Sequence, residues 1–359
     1  GNYAYLGQGQ DLVVLDIADV SSPSEVGRLI TPSEVGSVTV SGNYAYVVSD
    51  GLMIVDITNP SAPTLAGSYD IAGSAYDVAV LGNYAYVAAG EKGLLIVDIS
   101  NPYSPTLVSN YDTVGFAIDV TVSGNYAYVA DGGSLVIVDI TNPSSPTLAD
   151  SYNPVDHAVN VAVAGNYVYT PSGWDGILIL DITNPSSPTP AGSYATGGYV
   201  TEVAVAGNYA YVLDEENGLV ILNITDPTFP TLAGGYDANS YEYASDIAVS
   251  GSYAYLAEGG NGLVILKITS VQIPVPHTVG VYDYAGTWAL WNTSTNVADI
   301  VIFGSVGTQP VVGDWDGDRI TELGVYNTTG NNFLIRTDSG FDTISFGWAG
   351  VTPVIVNWG

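Results

Sequence analysis

The sequence has no cysteine, five lysines and arginines together, two histidines and one methionine in 359 residues. Without cysteine there are no disulfides, no zinc–thiolate sites and no thiol catalysis. With 36 acidic residues against those five bases, the formal charge is −31. Such a chain repels phosphate backbones and anionic lipid surfaces, because affinity for nucleic acid rests on basic side chains that neutralise phosphates. Charged residues total 11%, well below the roughly 25% of ordinary globular proteins. No apolar run is long enough to span a membrane. The sequence opens at Gly1-Asn2-Tyr3, inside a repeated phrase, and reads as a trimmed piece; the missing targeting signals therefore say little. His157 and His277 are the only histidines, and no serine sits on a nucleophile-elbow phrase, so a Ser–His–Asp triad has little material. Gly7-Gln8-Gly9 lacks the following helix and the lysine of a nucleotide loop. Arg28, Arg319 and Arg336 do not build a sialidase-type arginine cluster.

What is abundant is apolar residues (47%), glycine and tyrosine, and they recur in step. GNYAY starts at Gly1, Gly42, Gly82 and Gly124, and returns as GNYVY at Gly165, GNYAY at Gly207 and GSYAY at Gly251. A second phrase keeps register with it, as in LMIVD ending at Asp56, LVIVD at Asp139 and LVILN at Asn223. Seven residues past each such end stands a proline, from Pro23 to Pro274. Each repeat reads as four short strands; in the third copy they are expected at 77–80, 84–88, 94–99 and 106–111. Gly82-Asn83 suits a tight hairpin turn, and the prolines fall in the third connection, outside ladder interiors. The second and third strands are nearly continuous apolar runs, the mark of strands buried on both faces. Four strands per 40–45 residues is the period of a propeller blade. The expected fold is all-β: a seven-bladed β-propeller of four-stranded antiparallel blades over residues 1–279, with a small β-rich appendage over 280–359. The first repeat begins at its second strand. Its innermost strand is expected either from residues before Gly1 or from another segment.

These phrases resemble the LVIVD-repeat family, whose motif stands here at Leu135–Asp139. The resemblance covers about residues 1–275. It implies a propeller in large archaeal or bacterial surface or secreted proteins, usually without assigned catalysis. Asn223 and Lys267 depart from the motif's terminal aspartate, which marks that residue as turn-stabilising and not chemical. From about 280 the chain has another internal repeat. Gly280-Val281-Tyr282 answers Gly324-Val325-Tyr326, Trp288 answers Phe333, and QPVVGDW from Gln309 answers TPVIVNW from Thr352. This part resembles FG-GAP/VCBS-type repeats. Val281-Tyr282-Asp283 can equally be read as the last strand of blade seven, echoing Ser68-Tyr69-Asp70.

Three groups of residues are candidates for chemistry. In the tail, Asp314, Asp316, Asp318 and Glu322 stand at positions 1, 3, 5 and 9 of a short loop, with the carbonyl of Ile320 able to add a fifth oxygen. Hard oxygen ligands in that number suit a structural Ca²⁺. Arg319 stands where the FG-GAP pattern prefers glycine, and an acidic solvated turn is the plainer alternative. In the propeller, Ser37, Asp77, Asp119, Asn160, Glu202 and Asp246 each lie seven positions before the first tyrosine of their hairpin. They should form a ring at the channel mouth. The ring could bind a cation or sugar, or supply acid and base to a glycosidase. Recurrence in blade after blade favours structural contacts with the neighbouring blade. Departures from symmetry are the better guide to recognition. Trp174 has no counterpart in the other turns between second and third strands. With Asp175, Tyr199, Glu215, Glu216, Tyr241 and Tyr243 it is the expected partner or glycan surface, since aromatic rings beside carboxylates suit both.

The expected role is a non-catalytic extracellular or cell-surface module for adhesion, surface-layer or filament assembly, or recognition of a protein or glycan. A propeller glycoside hydrolase or lyase and a purely structural spacer are the alternatives. Sequons at Asn223, Asn292 and Asn327 permit N-glycosylation.

Overall fold

The computed structural model describes residues 2–153, 158–236, 244–258 and 262–268 in full, and further along the chain the backbone of strands between 281 and 345. The chain divides into two compact units, Gly1–Gln272 and Ile273–Gly359.

The first unit is a seven-bladed β-propeller of antiparallel blades, each built from strands taken in chain order. The third blade is representative: an inner strand Asp77–Leu81, a second strand Tyr84–Ala88, a third Leu94–Asp98 and an outer one Thr106–Tyr111. These match the expected strands to within one residue. The hairpin between inner and second strands turns on a glycine such as Gly82, with φ of 60°. That conformation strains any residue with a Cβ. Among the described residues the first sheet has three strands, Tyr3–Gln8, Asp11–Asp16 and Ser24–Ile30, and begins at its second-strand position. The seventh also shows three, Ala244–Ser250, Tyr253–Glu258 and Gly262–Lys267.

The core lies between blades, not within one. One cluster joins Tyr46, Val48 and Ile54 of the second blade to Val78, Val87 and Val97 of the third. Equivalent clusters follow at each junction from the first blade to the seventh. This is why the second and third strands are apolar on both faces: each face packs on a neighbouring copy. Each fully buried Val, Leu or Ile stabilises by about 1.5–3 kcal/mol. The second tyrosine of the hairpin is buried in these clusters in blades two to six, with Tyr86, Tyr128 and Tyr169 each 2% exposed.

The aspartate that ends the LVIVD phrase turns the chain. Asp56, Asp98, Asp139 and Asp181 each accept, through Oδ1, the backbone N–H two residues on, at 2.7–2.9 Å. Asn223 does the same to Thr225 at 2.9 Å, so the amide substitutes without loss of the turn. Outer strands then bulge against the next blade's proline loop. A Cβ on Gly67 would stand 2.4 Å from the Pro102 carbonyl oxygen.

The second unit is β-rich. Val281–Tyr282 pairs with Thr287–Asn292, which pairs with Val297–Ile302. Thr308–Gly313, Glu322–Asn327, Asn332–Thr337 and Gly340–Ser345 form a four-stranded sheet. Val281-Tyr282 thus pairs within this unit. The internal repeat has a structural basis, since Tyr282 lies opposite Trp288 as Tyr326 lies opposite Phe333.

Candidate functional site: channel ring and channel mouth

The inner strands surround a cavity of about 320 Å³. Of the expected ring, Ser37, Asp77, Asp119, Asn160, Glu202 and Asp246 all line it. Their contacts run from blade to blade. Asp77 accepts the Val120 amide at 3.1 Å, Asp119 the Val161 amide at 2.6 Å, and Asn160 the Val203 amide at 3.0 Å. Ser37 donates its hydroxyl to Asp77 at 2.6 Å, and the Asn160 amide nitrogen donates to Glu202 at 2.9 Å. The ring therefore ties neighbouring blades together, as its recurrence in the sequence implies.

The ring is also crowded with charge. Desolvation, then the adjacent Asp77 charge and the hydrogen bond between the two carboxyl groups, raise Asp119 well above the usual carboxylate range. Glu202 is raised by desolvation and by the charges of Asp246 and Asp77. Asp246 is raised by desolvation and by Asp77, against the pull of the Ile247 amide. Two adjoining carboxyl groups on a desolvated wall share a proton more readily than they both ionise. Among the described residues, no three histidine, aspartate or glutamate side chains are placed to hold a metal ion.

The mouth breaks the symmetry. Three connections meet there: the turn 172–176 of blade five, the crossing 195–199 into blade six, and the turn 214–217. Val200 N–H donates to the Gly173 carbonyl at 3.1 Å, Glu215 N–H to the Tyr199 carbonyl at 2.9 Å, and Tyr199 N–H to Glu216 Oε2 at 2.6 Å. Asp214 is 3% exposed; its Oδ1 accepts the amides of Glu216 and Asn217 at 2.9 and 2.8 Å, while Oδ2 has no hydrogen-bond partner among the described residues. Gly198 lets the backbone pass: a Cβ there would stand 2.1 Å from Asp214 Oδ1 and 2.4 Å from Glu216 Oε2. On this frame Trp174 is 67% exposed and meets Tyr199 edge-to-face, with ring centroids 5.7 Å apart. Asp175, Glu215 and Glu216 are exposed. Five of the seven expected surface residues are thus placed on one continuous piece of the mouth. Tyr241 and Tyr243 lie outside the described residues, as do Asp314, Asp316, Asp318 and Ile320; Glu322 begins a strand in the second unit.

A second aromatic pair lies at the same mouth, from Tyr76 and Phe116, which the sequence places in the connections into inner strands and for which packing between blades is the expectation. Phe116, at the position equivalent to Tyr199, meets Tyr76 edge-to-face at 5.1 Å and is 39% exposed. Beside it Val114 is 93% exposed with φ of 72°. A β-branched residue in that region is a backbone outlier. Only its position in the Asp112-Thr113-Val114-Gly115 turn hinted at it.

These features define the molecule as a β-propeller whose junctions repeat and whose mouth does not. The LVIVD repeat model matches residues 1–31, 33–71, 72–113, 114–154, 156–196, 197–238 and 242–270, and the chain belongs to that repeat family. No curated protein matches the sequence. Similar solved structures include a functionally unknown protein from Desulfotomaculum acetoxidans DSM 771, at 12% identity and a TM-score of 0.62, covering 85% of this chain and 95% of that one. The Cps50 (Swd1) β-propeller domain of Myceliophteria thermophila aligns at 14% identity and TM-score 0.63, over 75% and 93%. BamB from Moraxella catarrhalis aligns at 14% and 0.54, over 75% and 80%. At these identities the likeness shows the fold alone.

Proposed function

We propose that the protein is a non-catalytic binding module of an extracellular or cell-surface assembly, which recognises a glycan or protein partner at the channel mouth. The carrying observation is Trp174, two-thirds exposed and braced edge-to-face on Tyr199, with the exposed Asp175 next to it in sequence and the exposed Glu215 and Glu216 bonded to the Tyr199 backbone. Large apolar rings that stay in water at a rigid, hydrogen-bonded site are typical anchors, and the flanking carboxylates suit sugar hydroxyls or basic side chains. The Tyr76–Phe116 pair stands at the junction of the third and fourth blades, in the connections of the same end. The low charge density and the composition rich in small polar residues support an extracellular setting. Among the described residues, no helix is long and apolar enough to cross a membrane. The FG-GAP/VCBS-like tail and its Ca²⁺ at Asp314, Asp316, Asp318, Ile320 and Glu322 are part of this proposal on sequence spacing alone.

The test is a glycan array and a cell-surface pull-down, each with the intact protein and with Trp174→Ala, with and without chelator. Binding lost on Trp174→Ala with melting unchanged supports the reading. Binding that Trp174→Ala leaves intact, or no binding in any arm, overturns it in favour of a spacer. Calcium is tested separately by calorimetric titration of chelator-treated protein; absence of heat overturns that assignment.

A further inference from the structure

The connections beneath Trp174 hold acidic groups and no counter-charge. The turn 172–176, the crossing 195–199 and the turn 214–217 contain Asp175, Asp214, Glu215 and Glu216 and no lysine or arginine. In the other blades Glu34, Asp50, Glu91 and Asp112 are exposed at this end, with Lys92 as the base among them. Arg28 is taken up by Asp11 and by Glu25, the latter at 2.8 Å. Lys267 ends a third strand, at the opposite end of the blades. Asp214 Oδ1 and Glu216 Oε2 are neighbours, since a Cβ on Gly198 would stand 2.1 and 2.4 Å from them. Carboxyl groups this close favour the arrival of a cation.

The same frame is one-sided in its hydrogen bonding. Glu216 Oε2 accepts the Tyr199 amide, and Asp214 Oδ1 accepts those of Glu216 and Asn217. The second oxygen of each group is left over. Asp214 is 3% exposed, and its Oδ2 has no hydrogen-bond partner among the described residues. Among the same residues Glu216 Oε1 and the carboxyl oxygens of Asp175 and Glu215 accept no hydrogen bond. The nearby amide donor is occupied, since Asn217 Nδ2 donates to Asp214 Oδ1 at 3.1 Å and to the Thr196 carbonyl at 3.3 Å. A sugar hydroxyl both donates and accepts, so half of its capacity finds little here. A guanidinium carries five N–H donors and no acceptor, and its plane stacks on aromatic faces. Trp174, 67% exposed, holds such a ring in water.

We propose that this part of the mouth docks an arginine side chain of a basic protein segment. The guanidinium lies against Trp174, and the carboxyl groups of Glu215, Glu216 and Asp175 take its N–H groups. The proposal rests on the recognition role proposed for Trp174 and narrows its partner from a glycan or protein to a protein segment of positive charge. Charge complementarity points the same way, because a chain of formal charge −31 attracts cations before contact. Lysine supplies the charge without the planar fork, so it should bind less well.

The probe is a synthetic peptide of alternating glycine and arginine, titrated calorimetrically into the intact protein beside its lysine and citrulline versions. The arginine peptide should bind best. Citrulline keeps the shape and loses the charge, and should bind roughly tenfold or more weakly, the loss of a hydrogen bond to a charged group. Trp174→Ala should take arginine binding below detection with melting unchanged. So should Glu215→Gln combined with Glu216→Gln, whose amide oxygen can still accept the Tyr199 N–H. Glu91→Gln with Asp112→Asn removes the same charge on the third-blade side and should leave binding within about twofold, since distant exposed charges are screened. An equal fall in that control overturns the proposal, because the whole acidic surface would then be the attractant. So does equal binding of the citrulline peptide, arginine binding that Trp174→Ala leaves intact, or no arginine binding. If neutral glycans bind in a Trp174-dependent way and the arginine peptide does not, this proposal falls and the recognition role stands; if neither binds, both fall.

Discussion

Ring and mouth occupy the same end of the propeller and draw on the same types of acidic residue, yet they use them differently. In the ring, Asp77, Asp119 and Asn160 all direct an oxygen to the backbone of the next blade. In the mouth, Asp214 and Glu216 fold their acceptors back onto two local turns, and the stiffened turns hold Trp174 out in water beside Tyr199. A polar residue that recurs from copy to copy serves what every copy needs, a neighbour. One that lies beside a residue found in a single copy is free to serve something outside the fold. The difference separates cohesion from recognition within one set of residue types.

That separation can be broken experimentally. The largest effect should come from the shared core: Ile137→Ala, at a fully buried junction position, should cost about 2–5 kcal/mol, read by chemical unfolding, with partner binding per folded molecule unchanged. Next is the ring. Asp119→Ala leaves the Val161 amide without its acceptor and should cost about 1–3 kcal/mol. Asp119→Asn keeps an acceptor and removes a charge, so it should cost less.

The ring also sets a pH dependence opposite to that of most carboxylates. Asp119 and Glu202 hold their protons more tightly folded than unfolded. Their contribution is therefore full below the ordinary carboxylate range of about pH 4, and it falls as pH rises towards the raised values. A melting series should decline over that interval, and Asp119→Asn should flatten it; a series as steep in the variant would assign the slope elsewhere. Trp174→Ala should change stability by no more than about 0.5 kcal/mol, as for an exposed position, while abolishing partner binding. The smallest effect is expected from Asp139→Asn, because Asn223 already performs the same turn; a measurable drop in melting temperature would show that the charge has a role of its own.

The blades were legible because they are periodic. Three phrases in fixed register placed the strands of the third blade to within a residue, and the departures at Asn223 and Lys267 marked the motif aspartate as a turn former. The ring was legible for the same reason, down to its inter-blade contacts. The mouth was only half legible. Trp174 stood out by being unique, but the hydrogen-bonded frame beneath it joins residues 173, 199, 200, 214 and 216, which no spacing rule connects. Tyr76 and Phe116 were legible as aromatics in the connections between blades, and they do pack on one another; the positive φ of Val114 left almost no trace, since it depends on no recurring pattern.

The sequence by itself determined the number of blades, the order of strands and the side of each strand that is apolar, because hydrophobic periodicity and turn chemistry act over a few residues at a time. Tertiary structure alone decided which carboxyl groups crowd one another in the ring and which aromatic rings meet across connections. Each of those is a contact between copies some 40 residues apart, set by how the blades pack around a common axis.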